Sequence, residues 1–450
     1  MQIVHPTITI ADNFLGKPHR HDGEQYRLSN YIIQQPVANG LLLYNVLTRC
    51  LLLLDKEEAK RITELDELIE RWFLVPLSHD DRKLCHQLKS VARMVSTSPH
   101  KYINRFTILT TTDCNARCYY CYQKGRSRLF MSIDTARRVA DFIIKHRPSE
   151  EKVKLNWFGG EPLYNHQVMD VICEILSEKG VDFESTMVSN GYLFDNELIV
   201  KSVRLWHLKS VQITIDGTKE TYNRAKAFIY RDVDAYERVL NNIECLLNAN
   251  IKVDIRMNVT LRNMDDVERL VEELGKRFGQ NKLLRAYTHA LYDYHHGQTS
   301  MYEKTDDAQM QLLKRRVMLY DRLEELGLIR PSTIPDKLTL HKCMADSAHD
   351  VLITPDGKLG RCEQQTDEHL YGHIDSDDID KVEYDSYLEP LPESESCTTC
   401  PYYPDCIRLK VCANNMECTA ANRKEHIIDM KRSMLYQYEL YKYKTNNGWK

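Results

Sequence analysis

The 450-residue sequence has no hydrophobic run long enough to cross a membrane. Its most apolar stretch, residues 41–54, is interrupted by Asn45, Thr48 and Arg49, whereas a spanning helix needs about 20 apolar residues. The first residues, MQIVHPTITIADNF, also lack the basic region and apolar core of an export signal. The sequence therefore predicts a soluble protein of the cytoplasm with no membrane partner.

An excess of positive charge is also absent. The chain has 61 Lys and Arg residues against 65 Asp and Glu residues, which gives a net charge of -4. A nucleic-acid-binding protein usually presents a basic field to the phosphate backbone. We therefore do not expect nucleic acid as a partner.

Disulfide bonds are not expected either, although the chain has 14 cysteines, because the cytosol keeps thiols reduced. The cysteines are grouped: three lie within residues 114–121 and seven within residues 343–418. Grouped cysteines without disulfides indicate metal binding or catalysis. The two groups are therefore the first candidates for a functional site.

The first 100 residues predict a small separate module. A hairpin is indicated where Asn39-Gly40 joins two β-like runs. Helix signals follow, namely a capping box of Asp55 and Glu58 and a cap at Asp80 or Asp81. A hairpin with three short helices is typical of a winged-helix-like module, and the alternative is a simple cover for the next domain.

Residues 101–330 alternate apolar strands with amphipathic helices, which indicates βα units on a parallel sheet. Six such units predict an α/β fold, a partial (β/α)6 barrel of the TIM type, which places its chemistry at the carboxyl ends of the strands. Distinctive residues follow the first four strands here. The predicted strands span residues 105–110, 153–157, 183–188, 210–215, 252–259 and 282–288, and the residues that follow them are Cys114, Gly159 to Pro162, Ser189 to Gly191, and Asp216 with Gly217.

From residue 331 to residue 450 the regular periodicity fades and cysteines accumulate. Small segments of this kind are often held together by metal ions or clusters. The sequence therefore predicts a third, metal-stabilised domain over residues 331–450.

The first cysteine group, Cys114, Cys118 and Cys121, has the spacing C-x3-C-x2-C. Three thiolates on one short loop suit three irons of a [4Fe–4S] cluster, and they leave the fourth iron open. A zinc loop is the alternative on spacing alone. Gly159-Gly160-Glu161-Pro162, about 40 residues later at the next strand end, favours the cluster.

Together these motifs resemble the radical SAM superfamily over about residues 107 to 259. The resemblance implies an enzyme that splits S-adenosylmethionine (SAM) at the [4Fe–4S] cluster and forms a 5′-deoxyadenosyl radical. It also implies that Tyr120 lies against the adenine and that Glu161 and the neighbouring backbone bind the methionine amine. The implied SAM-binding residues are Tyr120, Gly159, Gly160, Glu161, Pro162, Ser189, Asn190 and Thr214.

The second cysteine group resembles a SPASM domain, in which two further [4Fe–4S] clusters bind. The resemblance implies a total of three clusters, with Cys343, Cys362 and Cys412 at the first auxiliary cluster. The five-residue spacer before Cys412 departs from the family pattern and leaves the places of Cys412 and Cys418 open. A zinc site is the alternative. The ligands implied for the second auxiliary cluster are Cys397, Cys400, Cys406 and Cys418.

Glu363 directly follows Cys362. An acidic residue at the equivalent place accepts a proton in the sulfatase-maturing relatives, which have Asp there. The resemblance therefore makes Glu363 a candidate general base, and a carboxylate that only supports neighbouring groups is the alternative.

The resemblance implies a maturase of ribosomally made peptides. Its N-terminal module would bind a precursor peptide by the leader as an added strand, and a flavodoxin- or ferredoxin-type protein would donate electrons. The expected product is a thioether or a carbon–carbon crosslink. Three alternatives remain open: a sulfatase-type maturase that makes formylglycine, an enzyme acting on a small molecule or carrier-bound amino acid, and a non-catalytic iron–sulfur or zinc protein.

Overall fold

The structure is a computed structural model of the chain. It describes residues 1–8, 15–97, 102–230, 234–291, 305–335, 343–364, 369–387, 389, 392–406 and 418–447.

The N-terminal region is an antiparallel sheet covered by short helices. The hairpin predicted at Asn39-Gly40 is confirmed, and the capping box of Asp55 and Glu58 opens the first helix. A Cβ at Gly40 would lie 1.9 Å from the carbonyl oxygen of Leu54, so the hairpin turn requires glycine there. The elements are β1 (Gln2–His5), β2 (Tyr26–Leu28), β3 (Ile32–Val37), β4 (Gly40–Asn45), β5 (Leu51–Asp55), α1 (Lys56–Lys60), α2 (Asp66–Glu70), β6 (Leu74–Pro76) and α3 (Asp81–Thr97).

Strands β1, β5, β4 and β3 lie side by side in that order, and β2 pairs with β6 as a separate ribbon. The side chain of Asp80 accepts hydrogen bonds from the N–H groups of Arg82 and Lys83 and so begins α3. The sheet with three helices agrees with the elements predicted for this module.

The central region contains six parallel strands connected by helices on one face. All six predicted strands are confirmed, with ends that differ by at most two residues. The elements are β7 (Arg105–Thr111), α4 (Ile133–His146), β8 (Val153–Gly159), α5 (His166–Glu178), β9 (Phe183–Ser189), α6 (Asn196–Arg204), β10 (Leu208–Thr214), α7 (Lys219–Lys226), α8 (Ala235–Asn248), β11 (Lys252–Val259), α9 (Met264–Phe278), β12 (Leu284–Ala290) and α10 (Asp306–Glu325).

Because successive side chains point to opposite faces of the sheet, one face packs against the helices and the other faces solvent. Ile108, Trp157 and Ile255 are buried among the helices, whereas Asn156 and Gln212, on the opposite face, line a large cavity. The sheet runs β12-β11-β10-β9-β8-β7, and the α/β partial barrel expected from the sequence is confirmed.

The C-terminal region extends the same sheet beyond β7 and then returns to the N-terminal module. Its strand β13 pairs in parallel with β7, and β14 and β15 follow in antiparallel order. The elements are β13 (Asp350–Ile353), β14 (Lys358–Gly360), β15 (Gly372–His373), α11 (Lys381–Ser386) and α12 (Ala420–Asn446).

One hydrophobic core joins the first and last predicted segments. Tyr31 and Leu42 of the N-terminal sheet pack in the same buried cluster as Tyr403 and Met434. Because burying such side chains is a main source of stability, the N-terminal module and the C-terminal region stabilise each other.

Within the described ranges, we find no helix with the length and apolar character required to cross a bilayer.

Candidate active site

The loop that follows β7 brings the first cysteine group to the carboxyl end of the barrel. Cys114, Cys118 and Cys121 are each half-buried. All three line a cavity of about 990 Å³ on the face of the sheet opposite the helices. This volume is at the upper end of the range for small-molecule and cofactor sites.

Backbone hydrogen bonds hold this loop in place. The N–H of Arg117 donates to the carbonyl oxygen of Lys226 over 2.8 Å, and Asn115 accepts through its carbonyl from the N–H of Ile229 over 2.9 Å. The N–H of Cys114 donates to the side chain of Asp113 over 2.8 Å. The cysteine loop is therefore tied to the segment at the end of α7.

The three thiols affect one another electrostatically. The pKa of Cys114 is raised to about 12, first by burial and then by Glu161, Cys118 and Cys121, while a hydrogen bond from the N–H of Ala116 opposes the rise. In the described part of the chain, no three side chains of His, Cys, Asp or Glu already stand in a metal-ligand arrangement. Because a metal cluster binds thiolates, its binding requires the loss of the protons of these cysteines.

Gly159 and Gly160 allow two strand ends to approach closely. A Cβ at Gly159 would lie 2.2 Å from the carbonyl oxygen of Thr111, and one at Gly160 would lie 2.2 Å from that of Asp113. Gly159 also has a φ of +139°, which favours glycine. The resemblance implies that this backbone binds the methionine amine, and the structure shows its close approach to the cysteine loop.

Glu161 lies behind the cavity wall. Its side chain is fully buried and accepts hydrogen bonds from Ser189 Oγ at 2.9 Å, from the N–H of Asn190 at 2.7 Å and from the N–H of Leu163 at 3.2 Å. Burial raises the pKa of Glu161 to about 7, and these three hydrogen bonds oppose the rise. Its carboxylate thus joins the loops after β8 and β9, and Pro162 beside it is buried as well.

Three other predicted SAM-binding residues, Ser189, Asn190 and Thr214, line the cavity. The amide of Asn190 donates to Asn115 Oδ1 over 2.7 Å and lies 3.7 Å from Cys114 Sγ. Asn190 therefore connects the end of β9 directly to the cysteine loop.

Tyr120 lines the cavity, and two residues outside the predicted SAM-binding set hold its hydroxyl group. The hydroxyl donates to Asp216 Oδ2 and accepts from Lys226 Nζ at 2.7 Å. Lys226 Nζ also lies 3.2 Å from Asp216 Oδ2. The position of Asp216 directly after the fourth strand marked it in the sequence as a candidate site residue. No sequence pattern distinguishes Lys226 from the other lysines.

Part of the second cysteine group reaches the same cavity. Cys343 is exposed and lines the cavity together with Glu363. Burial raises the pKa of Glu363 above its ordinary value. Cys362 precedes Glu363, is half-buried and packs near Tyr387. The structure therefore brings the candidate general base to the cysteine loop's cavity.

Cys397, Cys400 and Cys418 form a separate group. Burial raises the pKa of Cys400, and the nearby charges of Cys418 and Cys397 raise it further. Arg423 Nη1 lies 3.7 Å from Cys418 Sγ. Cys406 is half-buried nearby on the same segment, and Cys412 lies outside the described residues.

Comparison with known proteins identifies the barrel. Residues 108–274 match the family model of the radical SAM superfamily. The GTP 3′,8-cyclase of Campylobacter jejuni is 27% identical over 171 residues, which cover 37% of this chain and 50% of that protein. The chain thus matches about half the length of this curated relative.

Two solved structures share the fold. The anaerobic sulfatase-maturing enzyme anSMEcpe, with bound AdoMet and the Cp18Cys peptide, has a TM-score of 0.56 at 16% identity, covering 75% of this chain and 99% of that one. Streptococcus suis SuiB bound to the precursor peptide SuiA has a TM-score of 0.52 at 13% identity, covering 87% and 100%. The likeness to these two structures shows the shared fold, and the family match assigns residues 108–274 to a radical SAM domain.

Proposed function

We propose that this chain is a radical SAM peptide maturase, which takes a hydrogen atom from a ribosomally made peptide and installs a thioether or carbon–carbon crosslink. The observation that carries the proposal is the single cavity that Cys114, Tyr120, Asn190, Cys343 and Glu363 share. When bound, the [4Fe–4S] cluster supplies the electron that splits SAM into methionine and a 5′-deoxyadenosyl radical.

The donor set of the loop fits such a cluster. Cys114, Cys118 and Cys121 are three soft sulfur ligands on one loop, all at the wall of one cavity. They are close enough that Cys118 and Cys121 raise the pKa of Cys114. In the proposal these three side chains hold the cluster and leave one iron for SAM.

The SAM pocket is assigned to the residues around this loop. Tyr120 contacts the adenine, Ser189, Asn190 and Thr214 contact the ribose and the methionine carboxylate, and the backbone of Gly159-Gly160 faces the methionine amine. Glu161 acts indirectly, because its buried carboxylate accepts hydrogen bonds that hold Ser189 and Asn190 in place. Pro162 fixes the turn that follows.

The auxiliary clusters are assigned to the C-terminal cysteines. The first uses Cys343, Cys362 and Cys412, and it is supported by the position of Cys343 on the cavity wall. The second is supported by the mutual proximity of Cys397, Cys400 and Cys418. A cluster at Cys343 suits removal of the second electron from the substrate radical. The ligands assigned to the second auxiliary cluster are Cys397, Cys400, Cys406 and Cys418.

The peptide partner is assigned to the N-terminal module, residues 1–100, with the barrel over residues 101–330 and the SPASM domain over residues 331–450. Support comes from the shared fold with SuiB, which was solved with its precursor peptide. The leader would add to an edge strand of the module, and a flavodoxin- or ferredoxin-type protein would supply electrons in the cytoplasm.

The experiment is an anaerobic reaction of the full chain with SAM, dithionite and short cysteine-containing peptides encoded beside its gene. A crosslink removes two hydrogen atoms from the peptide, so we expect that mass loss by mass spectrometry, with 5′-deoxyadenosine as coproduct. The same peptide without its leader is the control, and we expect little or no modification of it. Unchanged peptides with full SAM cleavage would contradict the crosslinking proposal.

A second candidate is the oxidation of a protein cysteine to formylglycine. It is favoured by the raised pKa of Glu363 inside the cavity, which suits a group that accepts a proton. The same mass spectra distinguish the two candidates, because formylglycine replaces the cysteine sulfur with oxygen. A Glu363→Gln variant would then cleave SAM but yield less of the aldehyde.

A further inference from the structure

A buried positive charge lies beside the cysteine loop. Lys226 is the last residue of α7 and is only 3% exposed. Its Nζ lies 3.2 Å from Asp216 Oδ2 and donates to the hydroxyl of Tyr120 over 2.7 Å. An ammonium group in the interior is costly unless it is paired, so this arrangement is held by its partners.

The partners of Lys226 are themselves fixed. Asp216 is 1% exposed, and its second oxygen accepts the N–H of Asn258 over 3.0 Å. The hydroxyl of Tyr120 donates to Asp216. The three side chains therefore satisfy one another, and the ring of Tyr120 is held against the cavity wall by its polar end.

Lys226 also lies against the cysteine loop. Its carbonyl oxygen accepts the N–H of Arg117 over 2.8 Å, and Arg117 directly precedes Cys118. Its side chain bonds to Tyr120, which directly precedes Cys121. The ammonium group is therefore positioned next to the sulfur ligands of the loop.

A purely structural role does not account for this side chain. The attachment of α7 to the cysteine loop already uses backbone bonds, from Arg117 N–H to the Lys226 carbonyl and from Ile229 N–H to the Asn115 carbonyl. Apolar side chains in place of both Lys226 and Asp216 would fill the same space without the cost of burying two charges.

From this geometry we infer that Lys226 is a positioning residue of the site that splits SAM. It orients the ring of Tyr120 together with Asp216, and it keeps a positive charge next to the sulfur ligands. This inference rests on the proposed function. A nearby positive charge stabilises the reduced cluster, which carries one more electron, so it makes reduction easier.

The test compares reconstituted variants by properties other than turnover. Lys226→Met and Lys226→Gln remove the charge, Lys226→Arg keeps it, and Tyr120→Phe removes only the hydroxyl. Lys219→Met is the matched control on the same helix, since Lys219 is exposed and pairs with Asp234 at 2.6 Å. The measurements are iron content, the potential of the loop cluster by redox-poised EPR, and the dissociation constant of SAM.

We expect both neutral Lys226 variants to shift the potential of the loop cluster to more negative values and to bind SAM about tenfold more weakly. Tyr120→Phe should weaken SAM binding and leave the potential near that of the wild type. Lys226→Arg and Lys219→Met should change neither property greatly.

Neutral Lys226 variants that load iron and match Lys219→Met in both potential and SAM affinity would overturn the inference. The proposed function fails in a different way, namely when the wild type itself binds no iron–sulfur cluster at Cys114, Cys118 and Cys121. If the neutral variants lose iron while Lys226→Arg retains it, the charge is required at the cluster, and the inference stands.

Discussion

At the scale of the residue, the site depends on side chains that hold other side chains. Glu161 has no face on the cavity and instead accepts hydrogen bonds from Ser189, Asn190 and Leu163. Two of these donors, Ser189 and Asn190 at the end of β9, lie 28 and 29 residues from Glu161 in the chain. The acidic residue of the Gly-Gly-Glu-Pro motif therefore joins the loops that follow β8 and β9.

The raised pKa of Glu161 gives a prediction about pH. Because the folded protein shifts this pKa from 4.5 to about 7, it keeps a proton that the unfolded chain loses over this interval. The raised pKa therefore makes its full contribution to the free energy of unfolding below pH 4.5. This contribution falls as the pH rises through about 7, by at most about 3 kcal/mol. Urea unfolding of the metal-free protein at several pH values measures it.

Glu161→Gln is the control for this prediction, since the amide cannot lose a proton. Its stability should depend less on pH than that of the wild type between pH 4.5 and 7. Equal slopes for the two proteins would contradict the assignment.

At the scale of the element, the sheet positions the site by bringing loop ends close together. Gly160 approaches the cysteine loop so closely that a Cβ would overlap the backbone of Asp113. Backbone atoms cannot move aside as a flexible side chain can, so the two loops would have to separate.

Gly160→Ala should therefore destabilise the protein by about 1–3 kcal/mol and lower its iron content after reconstitution. Gly180→Ala is the comparison, because Gly180 has a φ of +64° but no atom within 4 Å of a new Cβ. Its cost should be about 1 kcal/mol, with normal iron content. Chemical unfolding and iron analysis give both values, and equal iron contents would contradict the role given to Gly160.

The elements could be predicted from the sequence to a large extent. The six barrel strands and the hairpin at Asn39-Gly40 follow from local periodicity and turn chemistry, which the sequence carries directly. The cysteine loop likewise has a motif of its own. Lys226 could not be predicted, because its partner Tyr120 is 106 residues away and only the folded barrel brings them together.

At the scale of the whole molecule, the N-terminal module and the second cysteine group form one packed unit. Arg49, in the turn between β4 and β5, makes a buried ion pair with Asp405, which precedes Cys406. Lys89 of α3 donates to the carbonyl oxygen of Cys406 over 2.8 Å. The segment proposed to bind a leader therefore contacts the segment proposed to bind a cluster.

Breaking the Arg49–Asp405 pair should be costly, because it leaves an unpaired charge in the interior. We expect Arg49→Met or Asp405→Asn alone to lower the free energy of unfolding by about 3–5 kcal/mol, and the double variant to lose less than the sum. Lys60→Met, which breaks an exposed pair with Glu57, should cost little. Additive losses in the double variant would contradict a direct pairing.

The central claim is that Cys114, Cys118 and Cys121 hold the cluster that splits SAM. The most direct measurement is the anaerobic iron and sulfide content of the wild type and of the Cys114→Ala/Cys118→Ala/Cys121→Ala variant, with 5′-deoxyadenosine assayed after dithionite reduction. We expect about twelve irons per chain, four for each of three clusters, falling to about eight in the variant with loss of cleavage. Zinc in place of iron, or SAM cleavage that survives the three substitutions, would contradict the account.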